Sequence, residues 1–340
     1  MEKAKYSLYD FIELRYSDPI NSIALSNNIL IIGTMMGKAS LYIINSKQKR
    51  EIVDMSNEAI TATSIDLANN NFYFSIGDEE VYEFINDKGN FQYPESTRYK
   101  NYANEEMHQN QCDTCYTMLD NNHYLILFFE EPYNNESPIT SYECNYQMYI
   151  YREEREKLTG KIELSKYMVP FEFVRNKFIC LEHLEDNSRL ISVFDFSTNT
   201  KSQNTIDKNI GHVSFLKSLP NNEYIIVYNY SILAIFDNSL KELAHTEYTK
   251  GDIESIDYYE NNNKEIVLVV LDNEGNITEY IQKGKTFEVI GSLCLYDMIE
   301  IDDEMKQKGL FDMEFPYYIK STDKYIAITC DYACFIVKRE

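Results

Sequence analysis

The chain has 340 residues, with 55 Asp and Glu against 32 Lys and Arg, and a formal charge of −23. Hydrophobic residues at 44% and charged residues at 26% are ordinary globular usage, which excludes a disordered tail, a collagen-like fibre and a membrane bundle. The acid excess argues against direct binding to nucleic acid or to an anionic membrane, since both are polyanions; it permits a basic partner and equally serves to keep a protein in solution.

In chain order, the first element is YSLYDFIEL from Tyr6, where apolar and polar side chains alternate with the period of a strand. This opening segment has no apolar stretch before a small-residue cleavage site, so no secretory signal is expected, and its acids argue against an organelle transit peptide. A short phrase then recurs. It reads SIALSNNILIIG at Ser22, SIDLANNNFYFSIG at Ser64, YTMLDNNHYLILFF at Tyr116, FEFVRNKFICLEH at Phe171, SLPNNEYIIVYN at Ser218, SIDYYENNNKEIVLVV at Ser255 and YIKSTDKYIAITCD at Tyr318. Most copies place Asn-Asn or a polar pair between two β-rich runs. Ile, Val, Tyr and Phe suit a pleated, half-buried strand, and Asn tolerates the positive φ of a tight turn, so each copy predicts a hairpin.

A third strand follows each hairpin: SLYIIN, EVYEFIN, QMYIYR, LISVFDF, ILAIFDN, NITEYIQ and CFIVKR. Matching positions are Ile44, Phe84, Tyr151, Phe194, Phe236, Tyr280 and Val337, spaced by 40, 67, 43, 42, 44 and 57 residues. Fourth strands are expected from Arg50, Lys161 and Thr286. Four of the six intervals match the roughly 40–45 residues of one propeller blade, and the two long ones coincide with insertions. The expected fold is therefore all-β: a single seven-bladed β-propeller of four-stranded blades spanning 1–340. The N-terminal strand, about 5–15, supplies the outer strand of the last blade, because closing the ring protects its edges.

Three insertions fall outside the repeat, at about 93–111, 130–145 and 293–313. Loops free of blade packing are where a repeat protein gains a private partner. The third insertion reads as a helix stopped by Gly309, with apolar side chains beside acids, and it is the expected partner surface. Its candidate contacts are Tyr296, Asp297, Ile299, Glu300, Asp302, Asp303, Glu304 and Met305.

Cys112 and Cys115, with His108 and His123 nearby, invite a zinc reading. The spacing fits no familiar finger, and residues three apart on a strand point to opposite faces. No metal and no cofactor are expected, and the Cys are read as reduced thiols, with Cys330 and Cys334 in the core. There is no Walker A loop, no Gly-x-Gly-x-x-Gly and no Gly-x-Ser-x-Gly elbow, so no catalytic residue is assigned. The basic stretches Lys47–Arg50 and Arg98–Lys100 are small and are placed in turns.

The period and the strand phrases resemble the WD-repeat (WD40-like) β-propeller family over nearly the whole chain. Phe194-Asp195 and Phe236-Asp237 stand where that family's Trp-Asp closes a third strand, and Gly211-His212 stands where its Gly-His opens a blade. With no Trp and one Gly-His, the family's buried hydrogen-bond set is expected to be mostly absent. The resemblance implies a non-catalytic scaffold in an intracellular, cytoplasmic or nuclear, eukaryotic complex. Such a ring is itself monomeric and docks protein partners through basic or apolar segments. Two alternatives accompany it: an acid-lined reader of basic peptides such as histone tails, and an enzyme with a site at the central channel.

Overall fold

The computed structural model describes residues 5–14, 18–54, 59–67, 71–76, 80–87, 90–92, 114–120, 123–130, 145–152, 161–163, 168–174, 177–184, 188–206, 210–298, 318–330 and 332–340. Two compact units result, one formed by Met1–Ile60 with His212–Glu340 and the other by Thr61–Gly211. In the first unit β1 (Tyr6–Glu13) precedes a sheet of β2 (Ile20–Leu25), β3 (Ile29–Thr34), β4 (Lys38–Ile43) and β5 (Gln48–Asp54). The second unit begins within β6 (Ile60–Ile65), which forms a sheet with β7 (Phe72–Ile76), β8 (Glu80–Asp87) and β9 (Asn90–Gln92). Next come β10 (Thr114–Asp120), β11 (His123–Glu130), β12 (Asn145–Arg152) and β13 (Lys161–Glu163). This unit ends with β14 (Met168–Val174), β15 (Lys177–His183), β16 (Arg189–Asp195) and β17 (Thr200–Ile206).

The first unit then resumes with β18 (Val213–Ser218), β19 (Tyr224–Tyr228), β20 (Ile232–Phe236) and β21 (Glu242–Glu247). Its following sheet is β22 (Ile253–Glu260), β23 (Ile266–Asp272), β24 (Asn276–Lys283) and β25 (Thr286–Cys294). The last strands, β26 (Tyr318–Ser321), β27 (Tyr325–Cys330) and β28 (Ala333–Arg339), take β1 as their fourth, with Leu8 opposite Val337 and Phe11 opposite Phe335.

The expectation of one ring of seven equivalent blades is corrected here. Strand pairing outlines seven four-stranded sheets, but only six have a described interior, and the sheet β10–β13 stands on backbone pairing alone. The structure thus supports six blades where the strand phrases led to an expectation of seven. Each repeat position foreseen from sequence lies in a third strand, except Ile44, which starts a 3-10 turn just beyond β4. Lys49 and Arg50 lie in β5, so that basic stretch is mostly strand and not turn.

Inner and outer strands differ because their neighbours differ. In the first unit β3 and β27 are buried at every residue, since adjacent sheets cover both of their faces. By contrast β21 and β25 keep many exposed polar side chains. Sheet packs on sheet in sequence order: Ile235 and Leu233 meet Leu268 and Val270; Leu271 and Ile277 meet Ile326 and Phe335; Ile336 and Cys334 meet Ile23 and Leu30. Cys330 and Cys334 lie in this core as free thiols.

Gly275 shows how tight the turns are. It has φ +73°, and a Cβ there would sit 2.7 Å from the Tyr296 ring. Gly275→Ala combines a left-handed backbone with a clash and is expected to lower stability by about 1–3 kcal/mol in urea unfolding.

Candidate functional site

Each four-stranded meander has two edges. At the near edge the first strand turns into the second and the third into the fourth. At the far edge the second strand turns into the third, and the fourth leaves for the next sheet. The insertion at 130–145 joins β11 to β12, that at 93–111 joins β9 to β10, and that at 293–313 joins β25 to β26. All three therefore open from the far edges of their sheets, a placement that spacing alone does not disclose.

The far edge of the first unit also carries most of its exposed apolar side chains. Met35 is 52% exposed, Met36 46%, Tyr230 45% and Tyr318 39%, and among the described residues of this unit only Val289 lies elsewhere. Each is held by a rigid frame. The Met35 amide donates to Pro19 O at 2.9 Å, and the Met36 amide donates to the buried Asp18 carboxylate at 2.9 Å. Asn229 and Tyr230 have φ +53° and +57°, the left-handed central pair of a tight turn in which Ser231 N donates to Tyr228 O at 3.3 Å. The frame closes around that turn: Asn229 N donates to His212 O at 2.8 Å, His212 N to the Asn229 side chain at 3.0 Å, and Ile253 N to Tyr230 O at 2.7 Å. Tyr230 stands beside the His212 ring at 5.6 Å. Asn tolerates such a φ, but a bulky side chain there costs about 1–2 kcal/mol, so the turn spends stability to hold an aromatic ring outward.

Acids share this edge. Burial and the neighbouring Asp252 raise the Glu254 pKa. An acid raised in the folded state loses stability as pH climbs from its unfolded pKa through its folded one. Glu254→Gln is therefore expected to raise the melting temperature at pH 7 and to leave it unchanged below about pH 3.5, where both states are protonated.

Of the residues expected to contact a partner, Tyr296 and Asp297 lie in a 3-10 turn over Leu295–Met298. Tyr296 is half-buried over Gly275, which makes it an anchor for the segment, whereas Asp297 is exposed. Ile299, Glu300, Asp302, Asp303, Glu304 and Met305 lie outside the described residues, as do Cys112, His108 and the rest of the predicted helix. Among the described residues no group of three His, Cys, Asp or Glu could hold a metal ion. His212 is exposed and acts through its backbone, and His245 pairs with Glu242 at 2.6 Å. Asp195 and Asp237, expected at the close of third strands, cap the turns that follow, accepting from Ser197 N at 3.0 Å and Ser239 N at 2.8 Å. Burial alone would raise Asp195, but hydrogen bonds from Ser197 and Thr198 and the Lys177 charge outweigh it and lower its pKa. Sequence reasoning passed over Tyr230, although Asn-Tyr-Ser between two apolar runs is the signal of a tight turn with one strained position.

No protein-family profile matches the chain, and no curated protein sequence does. Solved structures do. The WD40 β-propeller domain of Doa1 superposes with a TM-score of 0.63 at 10% identity, covering 99% of this chain and 98% of that one. Raptor from Chaetomium thermophilum gives 0.62 at 10% identity over 99% of this chain. The chain spans 29% of the length of Raptor. A chain of the mitotic checkpoint complex gives 0.62 at 8% identity, with 99% and 93% covered. The fold is thus an all-β propeller of four-stranded blades, similar to WD40 propellers. Among the described residues no helix is long and apolar enough to cross a membrane.

Proposed function

We propose that the chain, 1–340 as one docking domain, is a non-catalytic protein-interaction scaffold within an intracellular, cytoplasmic or nuclear assembly. Partners engage the far edge of the first unit. The observation that carries this reading is Tyr230, held outward at φ +57° and 45% exposed. Tyr and Met are enriched at the buried centres of protein interfaces, and Met35, Met36 and Tyr318 occupy the same strand ends. Asp252, Glu254 and Asp297 supply a rim that complements basic partner segments and would steer their approach. That the matched solved chains include one from the mitotic checkpoint complex supports a role in an assembly.

The test is affinity purification of the tagged full chain from its native source, with lysine cross-linking read by mass spectrometry. A stoichiometric partner is expected, cross-linked to Lys38 and Lys250 at this edge. Tyr230→Gly should lose that partner while melting no lower than the parent, because glycine relieves the left-handed strain. Met35→Glu should lose it as well. A partner retained at parental yield by both variants overturns the reading.

A further inference from the structure

On the opposite, near edge of the first unit, a notch of about 240 Å³ opens between the sheets β18–β21 and β22–β25. Its floor is aliphatic: Leu219, Ile235, Ile266 and Leu268, all part of the core that joins the two sheets. Such a volume lies below the range of small-molecule pockets and suits a side chain.

The rim is charged, and its charges are unequally engaged. Glu265 is satisfied twice, by Lys283 Nζ at 2.9 Å and by the Asn261 amide at 3.0 Å. Lys264 is held by Glu260 at 2.5 Å. Glu223 differs. The Asn221 amide donates to its Oε2 at 2.6 Å, and the Asn221 side-chain oxygen accepts from the Glu223 amide at 3.3 Å. That bracket orients the carboxylate at the notch mouth, yet among the described residues no cation lies within ion-pair distance of it. The notch thus presents an aliphatic floor with one pre-oriented, uncompensated carboxylate beside it.

We infer that this notch seats one Leu, Ile or Met side chain of a partner protein segment, with an adjacent Lys or Arg paired to Glu223. The inference rests on the reading of the chain as a protein-docking propeller, but it concerns the other edge and fails or stands separately. Charge complementarity is what commits it to a basic-aliphatic segment: the local charge sums to −1 on a chain of −23, so an acidic segment is repelled and a neutral one leaves Glu223 unpaired.

The test pans a phage-displayed library of random dodecapeptides on the intact chain and measures the enriched peptides by fluorescence polarisation. The expected peptides carry Leu, Ile or Met within two positions of Lys or Arg. Glu223→Lys should weaken them at least tenfold, and changing the peptide cation to Glu should restore binding to that variant. Glu223 lies beside an exposed turn, so this variant keeps the fold, which its melting curve verifies. Ile266→Phe, which fills the notch, should weaken binding similarly. If it unfolds, the charge swap alone decides. No enrichment, enrichment without that residue pair, or indifference to Glu223→Lys overturns the inference. Sedimentation showing self-association that Glu223→Lys abolishes would assign the notch to a second copy and overturn it too. Peptides that lose affinity with Tyr230→Gly but not with Glu223→Lys overturn the notch and leave the far-edge reading standing.

Discussion

Glu279→Ala is expected to lower the unfolding free energy by about 3–5 kcal/mol, seen as a fall in the urea midpoint with little change in slope. Glu279 is 1% exposed on β24, and its Oε1 accepts from Arg339 Nε at 2.8 Å. Tyr6 donates to its Oε2 at 2.9 Å, and Tyr259 donates to the same oxygen at 3.4 Å. Arg339 stacks over the Tyr259 ring at 4.1 Å and donates to Tyr325 O at 3.1 Å and to Ser321 Oγ at 2.7 Å. The carboxylate therefore ties three segments distant in sequence: β24, the last strand β28, and β1 from the chain's start. Removing it leaves a buried guanidinium and two phenols facing an empty acceptor site, and losing one partner of a buried pair costs far more than the pair contributes net. Burial and the Glu279 charge hold the Tyr6 hydroxyl protonated far above its ordinary range, so its donor role persists across any working pH. Tyr6→Phe should cost less, about 1.5–3 kcal/mol, as one hydrogen bond to a charged acceptor. It should also speed amide exchange in β1 before other strands respond. A Glu279→Ala variant with the parental midpoint would show that pairing between β1 and β28 suffices to close that sheet.

Asp272→Ala is the second large effect, at about 3–4 kcal/mol. Asp272 is fully buried at the end of β23. Its Oδ1 accepts from Glu274 N at 3.0 Å and Asn276 N at 2.7 Å, while its Oδ2 accepts from Tyr248 OH at 2.7 Å and the Asn276 amide at 3.0 Å. Several donors, the buried Tyr248 hydroxyl among them, lose their acceptor together, at about 1–3 kcal/mol for each that stays buried, less what entering water returns. Asp272→Asn keeps one acceptor oxygen and should cost less than half as much. Tyr248→Phe should cost about 1–2 kcal/mol, since it removes one hydrogen bond to a charged acceptor while Oδ2 keeps the Asn276 amide. Thermal and urea unfolding of the three variants, ranked in that order, check the account. Equal losses would mean that turn geometry matters more than the buried acceptor. The sequence led us to expect the family's buried hydrogen-bond set to be mostly absent. In this blade a Tyr–Asp pair does comparable work, joining the incoming connection to the turn.

How legible each feature was depends on the range of the physics behind it. Strand phrases such as IIVYN and ILAIFDN were readable because β-branched and aromatic residues state their pairing locally. The pairing of Tyr6–Glu13 with the last strand was readable as well, since CFIVKR lacked a fourth strand and the opening segment alternated. Two things were not. Whether a phrase lies in a packed blade depends on neighbouring sheets, which no single phrase states, and six blades stand where seven were expected. The expected partner residues from Ile299 to Met305 fall outside the described residues, while the described far edge offers Met35, Met36, Tyr230 and Tyr318 instead.

By itself, the amino-acid sequence determined the all-β class, the four-stranded repeat, the acidic character and the capture of the last sheet by the first strand. The first three follow from periodicity, composition and turn chemistry, which act between near neighbours, and the last from the missing fourth strand of the final repeat. Only the tertiary structure decided that Glu279 and Arg339 meet 60 residues apart, that each insertion opens from the far edge of its own sheet, and that Glu223 has no cation beside it among the described residues at an aliphatic notch. Those are juxtapositions of distant segments, and a linear pattern carries no term for the distance between side chains that folding brings together.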